Sequence, residues 1–419
     1  MTRKLKFLDL FAGAGGLSEG FIRAGFIPVA HVESNRAACF TLRTRMAYHW
    51  LKSNGCVEQY NNYLYGNITR PELYELIPKQ CIASVINAEI SKDSLAWIFR
   101  TIDELLDNSR LDLIIGGPPC QAYSIVGRAR DRNKMKGDKR NYLYIYYAEF
   151  LIRYRPLFFV FENVTGLLSA KDTDGNLYFD KMRNLFREAG YETEHRILSA
   201  DEYGVPQSRK RIILVGKRTT ASGFYPEPAK WQPGIKVGEV LNDLPPLKTG
   251  EGTITPCRLR EYAGSYLYDA GIINGEGVVT WHQARPNTEQ DLEIYRIAVE
   301  QWNKEKSRLN YNALPGRLKT HRQRESFTDR FKVVAADLPT SHTVVAHIAK
   351  DGHYYIHPDI NQNRSLTPRE AARLQTFPDD YFFESTSGVP GRTPAFRQIG
   401  NAVPVLLASG IAGKLMEVW

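Results

Sequence analysis

The first half of the chain alternates short apolar runs with stretches of helical periodicity. Apolar runs of this kind, bounded by glycine, proline or polar residues, predict buried strands. The predicted strands cover residues 6–11, 28–33, 111–115, 157–161 and 211–215. Residues 17–24 and 35–51 have helical patterns, and several more helices are expected between 52 and 110. This alternation predicts an α/β fold with a doubly wound, mostly parallel sheet.

The pattern changes after residue 219. Five prolines between residues 226 and 246 interrupt any long helix, and a polar helix is predicted at 289–306. Thr367 and Glu370 have the spacing of a capping box, and Pro368 suits the first helical position. We therefore predict a second, smaller domain over residues 221–395.

Composition narrows the class of protein. Of 419 residues, 43% are hydrophobic and 24% are charged, which is ordinary for a globular chain and excludes a largely disordered one. Five scattered cysteines without a CxxC pair argue against a disulfide scaffold or a zinc site. The net charge of +9 is compatible with a nucleic-acid partner. The longest apolar stretch, residues 403–415, is too short to cross a bilayer, so we expect a soluble, cytoplasmic protein without a membrane partner.

The segment FLDLFAGAGGLSEGF, residues 7–21, is a candidate nucleoside-binding turn. Gly13, Gly15 and Gly16 let the backbone turn sharply and approach a ligand closely. Glu33 closes the second predicted strand, where a carboxylate can accept hydrogen bonds from ribose hydroxyls. A tight strand-to-helix turn without any ligand explains the same pattern, and so does a nicotinamide oxidoreductase.

Two further strands end in residues with chemical potential. Cys120 follows the strand at 111–115 within GGPPCQAYS, where a thiolate could act as a nucleophile, although a structural free cysteine is the alternative. Residues 127–140 are strongly basic and suit phosphate contacts or a solvated turn. Glu162 follows the strand at 157–161, and Arg209 and Arg211 lie at the start of the last one.

Six segments together resemble the bacterial, restriction–modification type of the cytosine-5 DNA methyltransferase family. They occur in the family's order: FLDLFAGAGGLSEGF, GGPPCQAYS, FENV, QSRKRIILVG, RSLTPREAARLQTFPD and QIGNAVPVLLA. The resemblance implies a catalytic domain of residues 1–220, completed by 396–419. Residues 221–395 would then form a target-recognition domain that reads a specific site in double-stranded DNA.

The resemblance also implies S-adenosylmethionine as cofactor and S-adenosylhomocysteine as product. Phe11 would stack on or near the adenine, and Glu33 would hold the ribose hydroxyls. Glu89 and Ile90 match the family's acidic adenine contact, with Asn67 and its neighbour as a rival position. The remaining cofactor positions implied are Ala12, Gly13, Gly15, Pro118, Leu143, Asn401 and Val403.

In the catalytic roles that the resemblance implies, Cys120 would add to C6 of a flipped-out cytosine, and Glu162 would hydrogen-bond or protonate N3. Arg211 would contact the base carbonyl, with Arg209 assisting. The basic stretch 317–332 and the segment 281–285 are plausible DNA contacts. A cognate restriction endonuclease and a monomeric state are further expectations. A tRNA substrate and a non-catalytic DNA-binding regulator remain alternatives.

Overall fold

A computed structural model describes residues 4–119, 142–259, 264–274, 277–321 and 328–419. Seven strands form one mixed sheet, in the order β3-β2-β1-β4-β5-β7-β6. Those strands are β1 (Lys6–Leu10), β2 (Ile27–Glu33), β3 (Val85–Asn87), β4 (Leu113–Gly116), β5 (Phe158–Asn163), β6 (Glu192–Ser199) and β7 (Lys210–Lys217). A separate two-stranded sheet pairs β8 (Gly252–Thr253) with β9 (His282–Gln283).

The first five strands are parallel, whereas β7 runs antiparallel to both of its neighbours, β5 and β6. The predicted α/β fold with a doubly wound, mostly parallel sheet is confirmed. The sequence did not predict β3 or β6. β3 is only three residues long, and β6 is an edge strand whose polar, partly exposed side chains lack the apolar run of a central strand.

Fourteen α-helices lie in the described ranges. They are α1 (Gly16–Arg23), α2 (Arg36–Ser53), α3 (Val57–Leu64), α4 (Arg70–Glu75), α5 (Lys79–Ala83), α6 (Lys92–Leu106), α7 (Leu143–Tyr154), α8 (Tyr178–Glu188), α9 (Val237–Leu241), α10 (Ser265–Asp269), α11 (Glu289–Glu305), α12 (Pro368–Leu374), α13 (Arg392–Asn401) and α14 (Val405–Glu417). Short 3-10 helices include Thr165–Ser169, Ala200–Glu202 and Ala346–Ala349. The polar helix predicted at 289–306 is confirmed as α11.

Helices cover both faces of the main sheet. On one face, α6, α7 and α8 pack on a core that includes Phe159 and Phe161. On the other face, α1 and α14 pack together over a core that includes Phe7. An added Cβ on Gly20 of α1 would lie 2.4 Å from the Ala408 Cβ of α14. This close approach explains why a glycine stands inside a helix, where it is otherwise unfavourable.

The N-terminus of α12 has the capping box that the sequence predicts. The Thr367 hydroxyl accepts from the Glu370 backbone N–H, and the Glu370 carboxylate accepts from the Thr367 N–H at 2.7 Å. Three fully buried arginines, Arg364, Arg369 and Arg373, lie in or next to this helix. They pair with nearby carboxylates, and we call this cluster the arginine joint.

One helical stretch among the described residues, Arg392–Glu417, is long and apolar enough to cross a membrane. Its most apolar 18-residue window is 61% buried inside the protein. That burial is typical of a core helix in a globular protein, and α14 does pack on α1 in this way.

Candidate active site at the carboxyl edge of the sheet

The glycine-rich turn follows the carboxyl end of β1. Phe11 has a left-handed backbone with φ of 58°, a conformation that costs a non-glycine residue about 1 kcal/mol or more. Gly15 also has a positive φ, of 82°, and an added Cβ would lie 2.7 Å from Leu42 and 3.0 Å from the Tyr381 hydroxyl. A side chain at position 15 is therefore excluded by both conformation and space, and the backbone of the turn is fixed.

Glu33 at the end of β2 is held by this turn. One carboxylate oxygen accepts from the Gly13 N–H at 2.8 Å, and the other accepts from the Asn35 N–H at 2.6 Å. Asn35 is the N-cap of α2, since its side chain accepts from the Ala38 N–H. These two hydrogen bonds orient the Glu33 carboxylate before any ligand binds.

The loop after β4 meets Glu162 at the end of β5. An added Cβ on Gly117 would lie 2.7 Å from a carboxylate oxygen and 3.0 Å from the backbone oxygen of Glu162, so a side chain there would displace Glu162. The buried Asn163 amide donates to the Pro118 carbonyl at 3.3 Å. The close packing of Gly117 on Glu162 and the hydrogen bond from Asn163 to Pro118 hold this loop in place. Sequence reasoning did not identify Asn163, although it stands inside the FENV segment.

Glu162 forms an ion pair with Arg211 across adjacent antiparallel strands. The Arg211 Nε lies 2.7 Å from a Glu162 oxygen, and the two side chains are 13% and 14% exposed. One Arg211 terminal nitrogen also donates to the Lys210 carbonyl. Partial exposure leaves both groups able to contact a ligand.

A cavity of about 420 Å³ joins all of these elements. That volume is in the range of small-molecule pockets. Predicted site residues that line it are Phe11, Ala12, Gly13, Glu33, Pro118, Glu162, Arg211, Asn401 and Val403. Its lining also includes residues that the sequence did not identify: Asp9, Arg36, Thr386, Thr393, Arg397 and Gln398. Arg397 and Gln398 lie in or beside the QIGNAV segment and could have been identified from it.

Asp9 is the most strongly perturbed carboxyl group of the cavity lining. Its pKa is raised to about 8, mainly by burial and also by the charge of Glu33, while a hydrogen bond from the Ser18 hydroxyl acts in the opposite direction. Asp9 therefore carries a proton over most of the neutral pH range, so it adds no negative charge to a cavity that already contains the carboxyl groups of Glu33 and Glu162.

The sequence profile of the C-5 cytosine-specific DNA methylase family matches residues 5–59 and 81–417, which includes every cavity residue named above. The chain belongs to this family. It is therefore a DNA cytosine-5 methyltransferase, an enzyme that transfers a methyl group to DNA. The cavity at the sheet edge brings together several of the residues that the sequence resemblance assigns to the cofactor and to the base.

Curated relatives agree with this assignment, and solved structures share the fold. The chain is 41% identical to the Type II methyltransferase M.Bpa9945I of Bacillus paralicheniformis, over 98% of each protein. It is 31% identical to the Type II methyltransferase M.XorII of Xanthomonas oryzae pv. oryzae, over 100% of this chain and 85% of the relative. A solved prophage-encoded protein of E. coli shares the fold with a TM-score of 0.63 at 22% identity, and the Dnmt2 methyltransferase of S. pombe with 0.51 at 16%, each over 99% of both chains.

Several predicted positions of the methyltransferase do not line the cavity. Gly15 is part of the turn but faces Leu42 and Tyr381. Leu143 is the first residue of α7. Glu89 is exposed and Ile90 is buried in the core under β2. The rival Asn67 lies in an exposed turn after α3, where its side chain contacts Asn62. Neither Glu89 nor Asn67 lies among the described cavity residues.

Arg209 is placed differently from Arg211. Its guanidinium is 1% exposed and donates to the carbonyls of Val344 at 2.7 Å and Gly400 at 3.4 Å. It ties the start of β7 to two distant segments and does not face the cavity. Alternation along a strand would place both arginines on one face, but β7 begins only at Lys210, so the alternation does not reach residue 209.

The structure corrects part of the predicted DNA-contacting surface. Trp281 and His282 are 0% and 1% exposed, because they pack in the core beside α12, and cannot touch DNA as they stand. Within the basic stretch, Arg317 pairs with Glu293 and Arg330 pairs with Asp351. These contacts neutralise charges that the sequence presented as available to phosphates.

Cys120, the predicted nucleophile, lies outside the described residues. So do the basic loop at 127–140 and positions 322 and 324 of the basic stretch. The described chain reaches Pro119, which lines the cavity together with Pro118. The contact between Asn163 and Pro118 directs this part of the loop to the cavity.

Proposed function

We propose that the enzyme transfers a methyl group from S-adenosylmethionine to C5 of a flipped-out cytosine in a specific duplex DNA site, through a covalent Cys120 adduct at C6. The observation that carries this proposal is one continuous cavity shared by the two parts of the site. It joins the Gly13–Glu33 turn to the Glu162–Arg211 pair. A methyl donor and a target base can therefore meet without either leaving the site.

The residues at the turn suit an adenosyl cofactor chemically. The Glu33 carboxylate can accept hydrogen bonds from ribose hydroxyls, and the Phe11 ring offers a surface on which adenine can stack. Ala12 and Gly13 would line the methionine side, and Asn401 and Val403 are further positions on the cofactor side of the cavity. S-adenosylmethionine supplies an electrophilic methyl group carried on a sulfonium sulfur.

The protein's contribution is to make cytosine C5 nucleophilic. The Cys120 thiolate would form a bond to C6, which raises electron density at C5 for attack on the methyl carbon. Glu162 would hydrogen-bond N3 so that negative charge does not build up on the ring, and Arg211 would orient Glu162 and contact the base carbonyl. Loss of the C5 proton then restores the ring and releases Cys120 as the leaving group.

The test is incubation with S-adenosylmethionine and mixed-sequence duplex DNA, followed by base-resolution mapping of 5-methylcytosine. We expect methylation confined to one short motif, and a Cys120→Ser variant that binds the cofactor but does not turn over. The same assay with tRNA is the control for the RNA alternative. Methylation of tRNA alone, or full activity of Cys120→Ser, would overturn the proposal.

A cognate restriction endonuclease and a monomeric enzyme complete the proposal. Support for the endonuclease comes from the relatives, which are Type II methyltransferases. The DNA sequence that the motif mapping identifies would then be the site that the endonuclease cuts when it is unmethylated.

A further inference from the structure

The structure contains a segment that the family profile does not match. Residues 60–80 lie between the two matched parts of the chain, and they fall within α3, α4, α5 and the turns that join them. We call residues 57–83 the extra segment. It packs along α2, and its buried Leu64 and Leu73 join the same core as Phe377 and Ile399.

Polar side chains of the extra segment converge on Glu384. The Tyr63 hydroxyl donates to one carboxylate oxygen at 2.5 Å, and an Arg70 terminal nitrogen donates to the other at 3.2 Å. The same Arg70 nitrogen donates to the Ser385 carbonyl at 3.0 Å, and its guanidinium stacks 3.8 Å from the Phe40 ring. Thr44 of α2 supplies a third donor to Glu384 at 2.7 Å.

Glu384 depends on these donors because the residue is only 3% exposed. Burial raises its pKa, while the hydrogen bonds from Tyr63 and Thr44 and the charge of Arg70 act to lower it. A buried carboxyl group that loses a donor pays the full desolvation cost of that contact. The local backbone around residue 384 would therefore rearrange when Tyr63 or Arg70 is removed.

The backbone of Glu384 leads directly to the cavity. Its carbonyl accepts from the Gln398 amide at 2.9 Å, and its N–H donates to the Thr41 hydroxyl at 2.8 Å. That hydroxyl in turn donates to the Gln398 side-chain oxygen at 2.6 Å. Gln398 and Thr386, two residues beyond Glu384, both line the cavity. The extra segment is thus two hydrogen bonds away from the cavity wall.

We propose that the extra segment sets the cofactor affinity of this enzyme, with Tyr63 and Arg70 as positioning residues that hold the wall of Thr386 and Gln398 through Glu384. The inference rests on the proposed function, because it takes the cavity to be the site of S-adenosylmethionine. No extra-segment residue lines the cavity among those described, so its action is indirect and through the wall.

The experiment measures S-adenosylmethionine binding to the DNA-free protein by calorimetry, together with steady-state kinetics and melting temperature. For Tyr63→Phe and Arg70→Met we expect the cofactor Kd and KM to rise about tenfold, the size of one lost hydrogen bond to a charged group. The kcat at saturating cofactor and the KM for DNA should remain near wild type. Arg70→Lys should recover much of the affinity, since an ammonium can still reach Glu384.

Matched controls distinguish a specific effect on the cavity wall from a general destabilisation of the protein. Tyr65→Phe makes the same change two residues away, on an exposed tyrosine at the end of α3, and should leave the cofactor Kd unchanged. Arg100→Met is the corresponding control for Arg70 on the exposed side of α6.

Three outcomes would overturn the inference. They are an unchanged cofactor Kd in both variants, an equal rise in the Kd for cofactor and the KM for DNA, and the same rise in the Tyr65→Phe control. Failure of the wild-type protein to bind S-adenosylmethionine at all would instead overturn the proposed function, and the two failures are therefore distinguishable.

Discussion

The sheet edge and the arginine joint both contain arginine–carboxylate pairs, yet they differ in how completely those pairs are satisfied. Arg373 in the joint is fully buried and makes five hydrogen bonds, to Asp243, Asp379 and the Val240 carbonyl. A guanidinium has five N–H groups, so no donor is left for a ligand.

At the sheet edge, Arg211 forms an ion pair with Glu162 and donates a hydrogen bond to the Lys210 carbonyl. Arg211 also lines the cavity, and among the described residues its guanidinium has no other hydrogen-bond partner. The charge and burial of an arginine–carboxylate pair therefore do not by themselves mark a functional site. A pair with unused hydrogen-bonding groups that face a cavity can bind a substrate. A pair whose hydrogen-bonding groups are all occupied stabilises the fold.

The largest expected effect breaks the pair at the sheet edge. Glu162→Gln keeps the shape of the side chain but removes the acid that would hydrogen-bond N3, so methyl transfer should fall by about 10²- to 10⁴-fold. The melting temperature should stay near that of wild type, because Glu162 is partly exposed. Single-turnover methylation measures the effect, with the exposed Glu149→Gln as control. Near-normal transfer would remove Glu162 from the mechanism.

Breaking the joint should affect stability instead. Arg373→Met leaves Asp243 and Asp379 buried without their partner, which typically costs about 3–5 kcal/mol of unfolding free energy. Urea unfolding followed by tryptophan fluorescence measures the loss. Where the variant still folds, its cofactor Kd should match that of wild type. A loss below about 1 kcal/mol would show that the joint is not a structural element.

A pH-dependent effect belongs to Asp9, which lines the cavity but is buried like the joint. Its folded pKa of about 8 lies above the ordinary value of 3.8, so between these values the folded state keeps a proton that the unfolded state has lost. The free energy of unfolding should therefore fall as pH rises, by about 1.4 kcal/mol per pH unit from this group.

Asp9→Asn should abolish that contribution. Urea unfolding of the cofactor-free protein between pH 5 and pH 8 would show the variant gaining stability over wild type as pH rises. Parallel curves for the two proteins across this interval would contradict the raised pKa.

The smallest effect is expected at the surface pair of Arg317 and Glu293. Both groups are solvated, and exposed pairs contribute little to stability. Arg317→Ala should leave the melting temperature and the affinity for target DNA at wild-type values. A clear loss of DNA affinity would restore this part of the basic stretch as a DNA contact and extend the functional surface beyond the sheet edge.

The sequence predicted the parts of the site that local chemistry specifies. The turn at Gly13, the carboxylates of Glu33 and Glu162, and Asn401 each sit in a short segment whose residue types already indicate their use, and all four line the cavity. Glu89 and Leu143 were predicted to bind the cofactor but do not line the cavity. Their positions depend on the path of the loop or helix that follows the strand, which the sequence pattern does not specify.

Five central strands and the start of α12 followed from the sequence because apolar runs, glycine turns and capping residues act over a few neighbouring positions. The tertiary structure decided what distant segments do to one another. It placed Arg209 in a buried contact and Arg211, two residues on, at the cavity. It also joined Tyr63 and Arg70 to Glu384, more than 300 residues away in the chain. Burial and hydrogen-bond partners are set by packing between segments, and no local pattern encodes them.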